Sequence, residues 1–280
     1  MIFVQQVVGG LAIGLVYGLV ALGFVLLLRS LDLINFAQGE MMMAGAFLAL
    51  GAWQGLGLPF PLAFLAALLA TAGLGLLMDR LVAHPLRHAP LIHLVIATVA
   101  VSLLLKNVGL LLGGPEPLPF PSLFGETPVA VGPIRLVPQT FLILGAALGL
   151  VGLLQIFLLR TRRGLALRAI MADAEMAALL GVPPGQARAL AFSLSAALGA
   201  TGGILIAPLV FVSFDMGSLG LKAFTAAALG GLYSIPGAIG GGLALGVLEN
   251  LLAGTISSGY RDVLVYAVLI AVLVGRAVRR

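Results

Sequence analysis

Residues that could carry enzyme chemistry are few, and their spacing does not suit it. Cysteine is absent, which excludes disulfides, thiol catalysis and cysteine-ligated metals. An intramembrane serine protease would need a histidine near a serine such as Ser195, but His84, His88 and His93 all precede it and no histidine follows. The sequence also lacks a Gly-x-x-x-x-Gly-Lys-Ser/Thr segment, the loop that binds ATP phosphates. We therefore predict no enzyme, no cofactor and no metal site, and any ATP would be hydrolysed by another polypeptide.

The composition predicts a membrane protein built from helices. Of its 280 residues, 61% are hydrophobic and 9% are charged, whereas soluble domains carry roughly 25% charged residues. A hydrocarbon core of about 30 Å requires roughly 20 helical residues, and five charge-free runs reach that length: 1–28, 41–78, 136–159, 189–214 and 223–248. No segment alternates as a membrane β-barrel would, so the predicted fold is all-α and polytopic. The net charge of +5 indicates loop arginines beside anionic lipid rather than nucleic-acid binding.

Eight or nine membrane-spanning segments are expected. The candidates are 2–28, 38–56, 60–78, 91–112, 137–159, 189–212, 219–233, 236–253 and 262–276. Segment 219–233 would rise only about 22 Å as a helix, which is shorter than the hydrocarbon core. We therefore expect it to be a half-helix or part of a broken span.

The distribution of basic residues predicts the orientation. Eleven of the 15 Lys and Arg residues fall in loops and a tail that can share one side, while Arg135, Lys222 and Arg261 fall near the other. Because cytoplasmic loops are enriched in Lys and Arg, the N-terminus is expected outside and the C-terminus inside. The external loop 113–137 is rich in proline, which favours a stiff, extended segment. It serves either as a connector or as a docking surface.

The cytoplasmic loop 160–188 contains a predicted short helix over residues 165–180. Gly181 and two prolines directly after it are the usual signals for the end of a helix. At helical spacing Leu167, Ile170, Met171, Ala174 and Ala178 share one face. The helix either rests on lipid or docks into a groove of a nucleotide-binding partner.

Ionisable residues within predicted spans are functional candidates, because a charge in lipid is costly. Lys106 either extends to the membrane surface or faces the helix bundle, and Glu249 is expected to make a structural hydrogen bond near a helix end. Glu40 lies at the predicted cytoplasmic start of a span, beside Asn35 and Gln38. Its carboxylate would be stabilised there by the helix dipole alone.

Three blocks of this sequence resemble permeases in the branched-chain amino acid branch of the ATP-binding-cassette importers. The first block, 35–40, reads Asn-Phe-Ala-Gln-Gly-Glu and resembles the LivH-like member of the two permeases in such systems. A second block covers 224–249. In the third, within loop 160–188, the matching residues are Thr161, Gly164, Ala166, Arg168, Ala169, Asp173, Ala177 and Gly181. The resemblance covers nearly the whole chain.

The resemblance implies a single permease domain over 1–280 that carries Leu, Ile or Val inward in a bacterial inner membrane. It implies a second related permease, two cytoplasmic ATP-binding subunits and a soluble substrate-binding protein as partners. The matching residues of loop 160–188 would couple the permease to the ATPase. Candidates for a pathway or gating role are Asn35, Gln38, Glu40, Thr225, Gly230 and Gly231. Alternatives are an importer of the same type for urea, amides or other amino acids, and a stand-alone ion-coupled carrier.

Overall fold

A computed structural model of the chain describes residues 2–125, 129–131, 134–255 and 261–278. Parts of the external loop 113–137 (126–128 and 132–133) and the tail residues 279–280 lie outside the described residues. The helices of the described part are α1 (Ile2–Leu31), α2 (Gln38–Leu50), α3 (Phe60–Met78), α4 (Leu91–Gly113), α5 (Pro138–Arg160), α6 (Arg162–Ala172), α7 (Ala174–Leu179), α8 (Pro184–Val210), α9 (Leu219–Gly230), α10 (Ile235–Thr255) and α11 (Arg261–Val278).

The predicted all-α polytopic class is confirmed. Six of the described helices are long and apolar enough to cross a membrane: Phe3–Leu31, Phe60–Ala83, Leu91–Gly113, Pro138–Arg160, Pro184–Val210 and Ile235–Gly254. The external loop adds a short antiparallel hairpin of β1 (Val129–Val131) and β2 (Ile134–Leu136). A backbone bridge between Leu118 and Val212 ties the loop to the segment after α8.

Helix α1 occupies the centre of the bundle and is almost wholly buried from residue 10 onwards. It packs antiparallel to α10 through facing glycines, among them Gly14 and Gly242. A Cβ atom added to Gly14 would lie 2.6 Å from the carbonyl oxygen of Gly242. Small residues at this interface therefore set the separation of the two backbones, as they commonly do between membrane helices.

Helix α2 begins inside the bundle, which corrects the expected cytoplasmic start at residue 38. After α1 ends at Leu31, the chain turns at Asp32, whose φ is 54°, and returns until Gln38 lies beside Gly23 of α1. Gly23 lies about 12 Å from the end of α1 at 1.5 Å per residue. Helix α2 then runs back towards the end of the bundle at which α1 begins, and continues as the π-helix Gly51–Gly55. The charge-free run predicted a helix here but not the depth at which it starts.

The expected short span at 219–233 is the 12-residue helix α9, preceded by the 3-10 turn Met216–Ser218. Gly220 at its start packs against Gly39 at the start of α2, and an added Cβ would lie 2.5 Å from the Gly39 Cα. The N-terminal ends of α2 and α9 therefore meet within the bundle.

The cytoplasmic segment forms two helices, α6 and α7, where one helix over 165–180 was predicted. Asp173 interrupts the run with extended backbone (φ −160°, ψ 108°), and its Oδ1 accepts a hydrogen bond from the Met176 N–H at 2.9 Å. Aspartate is a strong N-cap because its side chain satisfies a free N–H at a helix start. Gly181 ends α7 as expected, with φ of 87°.

Candidate functional site

The start of α2 is held by hydrogen bonds to Ser195 of α8, which also lies within hydrogen-bond distance of α1. The Gln38 Nε2 donates to the Ser195 carbonyl at 2.9 Å. The Ser195 hydroxyl lies 2.8 Å from Gln38 Oε1 and 2.9 Å from the Gly23 carbonyl, and its one hydrogen can go to either. Asn35 is also buried, and its Oδ1 accepts from the Ala37 N–H at 3.0 Å. The predicted pathway residues Asn35 and Gln38 therefore hold the start of α2 in place.

Glu40 lies where the two helix starts meet. It is 8% exposed, and a Cβ added to Gly217, just before α9, would lie 2.7 Å from the Glu40 Oε1. Ser102 of α4 lies close to the Glu40 side chain. Glu40 is thus near both the turn before α9 and α4, and the dipole of α2 is one contribution among several to its placement.

Lys106 of α4 forms an ion pair with Asp215 next to Glu40. The Lys106 Nζ lies 2.6 Å from Asp215 Oδ1 and 5.6 Å from the centre of the Phe214 ring, within the range of a cation–π contact. The side chains of Lys106 and Asp215 are 39% and 61% exposed on the surface of the chain. We call Glu40, Ser102, Lys106 and Asp215 the charge cluster.

A largely apolar cavity between α2 and α4 is lined by Gly109, one turn along α4 from Lys106 of the charge cluster. Its volume is about 540 Å³, and α2 and α4 supply most of its walls, including Met43, Phe47, Leu105 and Val108. On α4, Ser102, Lys106, Gly109 and Gly113 follow each other at three- and four-residue spacing and so share one face. Gly109 and Gly113 approach the side chains of Met43 and Phe47 on α2. The cluster and the cavity are therefore consecutive parts of one groove between two helices.

The other three predicted pathway residues lie apart from this groove. The Thr225 hydroxyl donates to the Leu221 carbonyl within α9 at 2.9 Å. Gly230 packs against the backbone of Gly237, and Gly231 has a φ of 104°, so both serve the turn between α9 and α10.

Lys222 and Glu249 form a buried ion pair between α9 and α10. Lys222 was expected near the outer face, but its Nζ donates to Glu249 Oε1 at 2.7 Å, and the two side chains are 9% and 0% exposed. The hydrogen bond expected for Glu249 near a helix end is thus a bond to a lysine 27 residues earlier.

Most of the predicted coupling residues shape the cytoplasmic segment. Thr161 caps α6 by accepting from the Gly164 N–H at 2.9 Å. Gly164 packs on the end of α5, where a Cβ would lie 2.7 Å from the Leu158 Cα. Ala177 is buried. Helix capping therefore explains the hydroxyl of Thr161, and close packing explains why Gly164 and Ala177 are small.

The outer surface of the segment carries four exposed apolar side chains. Leu165, Met176, Leu179 and Leu180 are between 54% and 79% exposed, and we call them the cytoplasmic apolar surface. Of the face predicted from the helical spacing, Leu167 and Ile170 are buried, whereas Ala174 and Ala178 are exposed because the chain turns at residue 173. Ala166 and Ala169 are half-buried, and Arg168 is exposed beside Arg29 at a second cavity of about 470 Å³.

Arg188 joins this segment to the membrane helices. Its Nε donates to Asp79 at the end of α3 at 2.5 Å, and its Nη2 lies 2.6 Å from His84 Nδ1. Because Arg188 is in the first turns of α8, the residues after α7 are linked directly to α3. His84 is exposed and belongs to this link.

Sequence reasoning missed Asp215, Ser102 and Ser195 as site residues. Asp215 and Ser195 are 109 and 157 residues from Lys106 and Gln38, their respective partners. The spacing of residues within one segment of the sequence gives no sign of partners that lie so far apart. The polar and glycine stripe on α4 from Ser102 to Gly113 is the one sequence signal that could have located the groove.

The chain is a polytopic helical bundle in which α2 and α9 begin inside the bundle and a polar groove separates two helices. Membrane transport proteins are commonly built in this way. The family model described as the permease component of the branched-chain amino acid transport system matches residues 6–273. The chain belongs to this permease family. It is a multi-pass protein of the inner membrane and a transport subunit rather than an enzyme.

Several curated proteins are similar over almost their whole length. The high-affinity branched-chain amino acid transport system permease protein LivH of Escherichia coli K12 is 33% identical over 97% of this chain and 92% of that protein. BraD of Pseudomonas aeruginosa, with the same description, is 35% identical over 98% and 94%. A probable LivH of Methanocaldococcus jannaschii is 30% identical over 91% and 83%.

Among solved structures, a chain of PsaBC from Streptococcus pneumoniae, in complex with a Fab, aligns with a TM-score of 0.49 and 16% identity. The alignment covers 97% of this chain and 91% of that one. This likeness is too weak to support any inference.

Proposed function

We propose that residues 1–280 form one permease domain of an ATP-binding-cassette importer that carries branched-chain amino acids inward. The observation that carries this proposal is the match to the permease family over residues 6–273. Its relatives LivH and BraD are permease proteins of high-affinity branched-chain amino acid transport systems. Leucine, isoleucine and valine are therefore the proposed substrates.

A second related permease is proposed to cover the charge cluster. Lys106 and Asp215 are exposed on the surface of the isolated chain, and Lys106 lies about 10 Å from the outer end of α4 at 1.5 Å per residue. A charge at that depth in lipid is costly. A partner permease that encloses an aqueous pathway against this surface would remove that cost.

Two cytoplasmic ATP-binding subunits are proposed to bind at α6 and α7. The cytoplasmic apolar surface offers them Leu165, Met176, Leu179 and Leu180, beside the exposed Arg168. A group of large apolar side chains that are each more than half exposed is typical of an interaction surface. Movement of this segment would reach α8 and α3 through the hydrogen bonds of Arg188 to Asp79 and His84. We propose that these exposed residues make the contact, while Thr161, Gly164 and Ala177 keep their predicted coupling role by shaping the segment that carries them.

The external face is proposed to receive a soluble substrate-binding protein. Loop 113–137 supplies a proline-rich surface there, and its bridge from Leu118 to Val212 links it to the segment that carries Asp215. We propose that the N-terminus lies outside and the C-terminus in the cytoplasm, which would put the basic loops beside anionic lipid.

Competition in an uptake assay tests the substrate. Proteoliposomes with both permeases, the ATPases and the binding protein should take up radiolabelled leucine, and isoleucine and valine should inhibit this uptake. Urea, short amides and a charged amino acid such as glutamate should not inhibit it. Leucine uptake that is absent, or urea uptake in its place, would contradict the proposed substrate.

The coupling surface is tested by the double variant L179D/L180D. Charges at a buried apolar contact should weaken ATPase binding by roughly tenfold or more, so both uptake and co-purification of the ATPase should fall. H88D is the matched control, because His88 is exposed in another cytoplasmic loop. Normal uptake in L179D/L180D would show that the ATPase binds elsewhere.

A further inference from the structure

Resting on the proposed function, we propose that the groove between α2 and α4 is a substrate site that recognises a free amino acid by both of its charges and its aliphatic side chain. The charge cluster would hold the ammonium and carboxylate groups, and the adjoining cavity would hold the side chain. The binding site of the importer would then extend into this permease.

The charges of the cluster match those of a zwitterion. Lys106 supplies a cation for the carboxylate, while Asp215 and Glu40 supply oxygens for the ammonium group. A free amino acid could replace the Lys106–Asp215 ion pair, which is 2.6 Å long, with two pairs of its own. Both side chains are partly exposed, so the exchange requires no opening of the core. Charge-assisted hydrogen bonds of this kind are among the strong ones in proteins.

The cavity matches the rest of the substrate. Its volume of about 540 Å³ lies within the range of roughly 300–1,000 Å³ usual for small-molecule sites. Leu105, Val108 and Met43 line it and would bury an aliphatic chain with three or four carbons. Gly109 lies one turn after Lys106 on the same face of α4 and lines the cavity, so a ligand held by its charges could extend its side chain along the groove. An apolar pocket beside a few convergent polar groups is a common form of binding site.

The site is tested by protecting a single thiol from modification. The chain contains no cysteine, so V108C would supply its sole thiol at the cavity wall, and mass spectrometry of this chain would report its reaction with a maleimide. In the assembled complex of permeases and ATPases, leucine at ten times its Kd should slow this labelling by about tenfold, as mass action requires. E116C, exposed on the external loop, is the control and should be labelled at the same rate with and without leucine.

Two comparisons assign the protection to the charges. In K106M/V108C the loss of a charged hydrogen bond should weaken binding at least tenfold, so the same leucine concentration should slow labelling by about twofold or less. K106R/V108C keeps the cation and should retain protection. In the V108C protein itself, 4-methylpentanoate, which lacks the ammonium group, and 3-methylbutylamine, which lacks the carboxylate, should not protect.

The outcomes separate this inference from the proposed function. If the V108C complex carries out ATP-driven leucine uptake but leucine leaves its labelling unchanged, the site is refuted and the importer function stands. Protection that persists in K106M/V108C, or equal protection by 4-methylpentanoate, would also overturn it. Should K106M prevent assembly, the comparison of leucine with its two analogues in V108C decides the question. Failure of branched-chain amino acid uptake would instead contradict the proposed function.

Discussion

Replacing Lys222 by methionine should destabilise the bundle more than most single substitutions. Glu249 is 0% exposed, and its Oε1 receives the Lys222 Nζ at 2.7 Å. K222M removes that cation while keeping a side chain of similar length. Removal of one partner from a buried ion pair typically costs about 3–5 kcal/mol, and the free energy of unfolding should fall by that amount.

The measurement is a double-mutant cycle on unfolding in mixed micelles with K222M, E249L and K222M/E249L. The double variant replaces both charges with apolar groups, so it should regain most of the stability lost in K222M. L221M is the control, because Leu221 is exposed on the same helix and exposed substitutions usually change stability by less than about 0.5 kcal/mol. A cost below about 1 kcal/mol for K222M, with additive effects in the double variant, would refute the ion pair as a link between α9 and α10.

Three further variants test other contacts. G14A should lose about 1–3 kcal/mol of unfolding free energy because its new Cβ would meet the α10 backbone at 2.6 Å. The control G149A has open space at its Cβ and should be neutral or stabilising. Equal losses of stability in the two variants would contradict the packing of α1 on α10. D173A should cost about 0.5–2 kcal/mol by removing the cap on the Met176 N–H, seen as faster hydrogen exchange in α7 but not in α6. S195A should cost about 1 kcal/mol by removing the hydroxyl bond at the start of α2, and unchanged stability would show that this hydroxyl does not hold α2.

The helical membrane fold could be predicted from the sequence because lipid leaves few alternatives. Long charge-free runs must be helical where backbone groups cannot bond to water, and these runs located five of the six long helices found among the described residues; the sixth, Leu91–Gly113, contains Lys106. The end of α7 at Gly181 was equally readable, because glycine readily adopts the φ of 87° found there.

The depth at which α2 starts and the ion pairs between residues far apart in sequence could not be predicted. The charge-free run 41–78, which covers most of α2, gave no sign that the helix starts beside Gly23, since a charge-free sequence looks the same at any depth. The break at Asp173 was missed because the flanking alanines and leucines favour one continuous helix, while the Asp173 side chain satisfies a second helix start. Lys106 was recognised as a candidate, but its partner Asp215 lies 109 residues away.

ATP-dependent accumulation of leucine is the most direct test of the proposed function. Proteoliposomes holding the assembled importer, with the binding protein outside and ATP or ADP inside, should concentrate leucine above the external level with ATP and not with ADP. Vesicles that contain this chain alone should not concentrate it under either condition. Equal accumulation with ADP, or accumulation by this chain alone on an ion gradient, would contradict the importer and identify a stand-alone carrier.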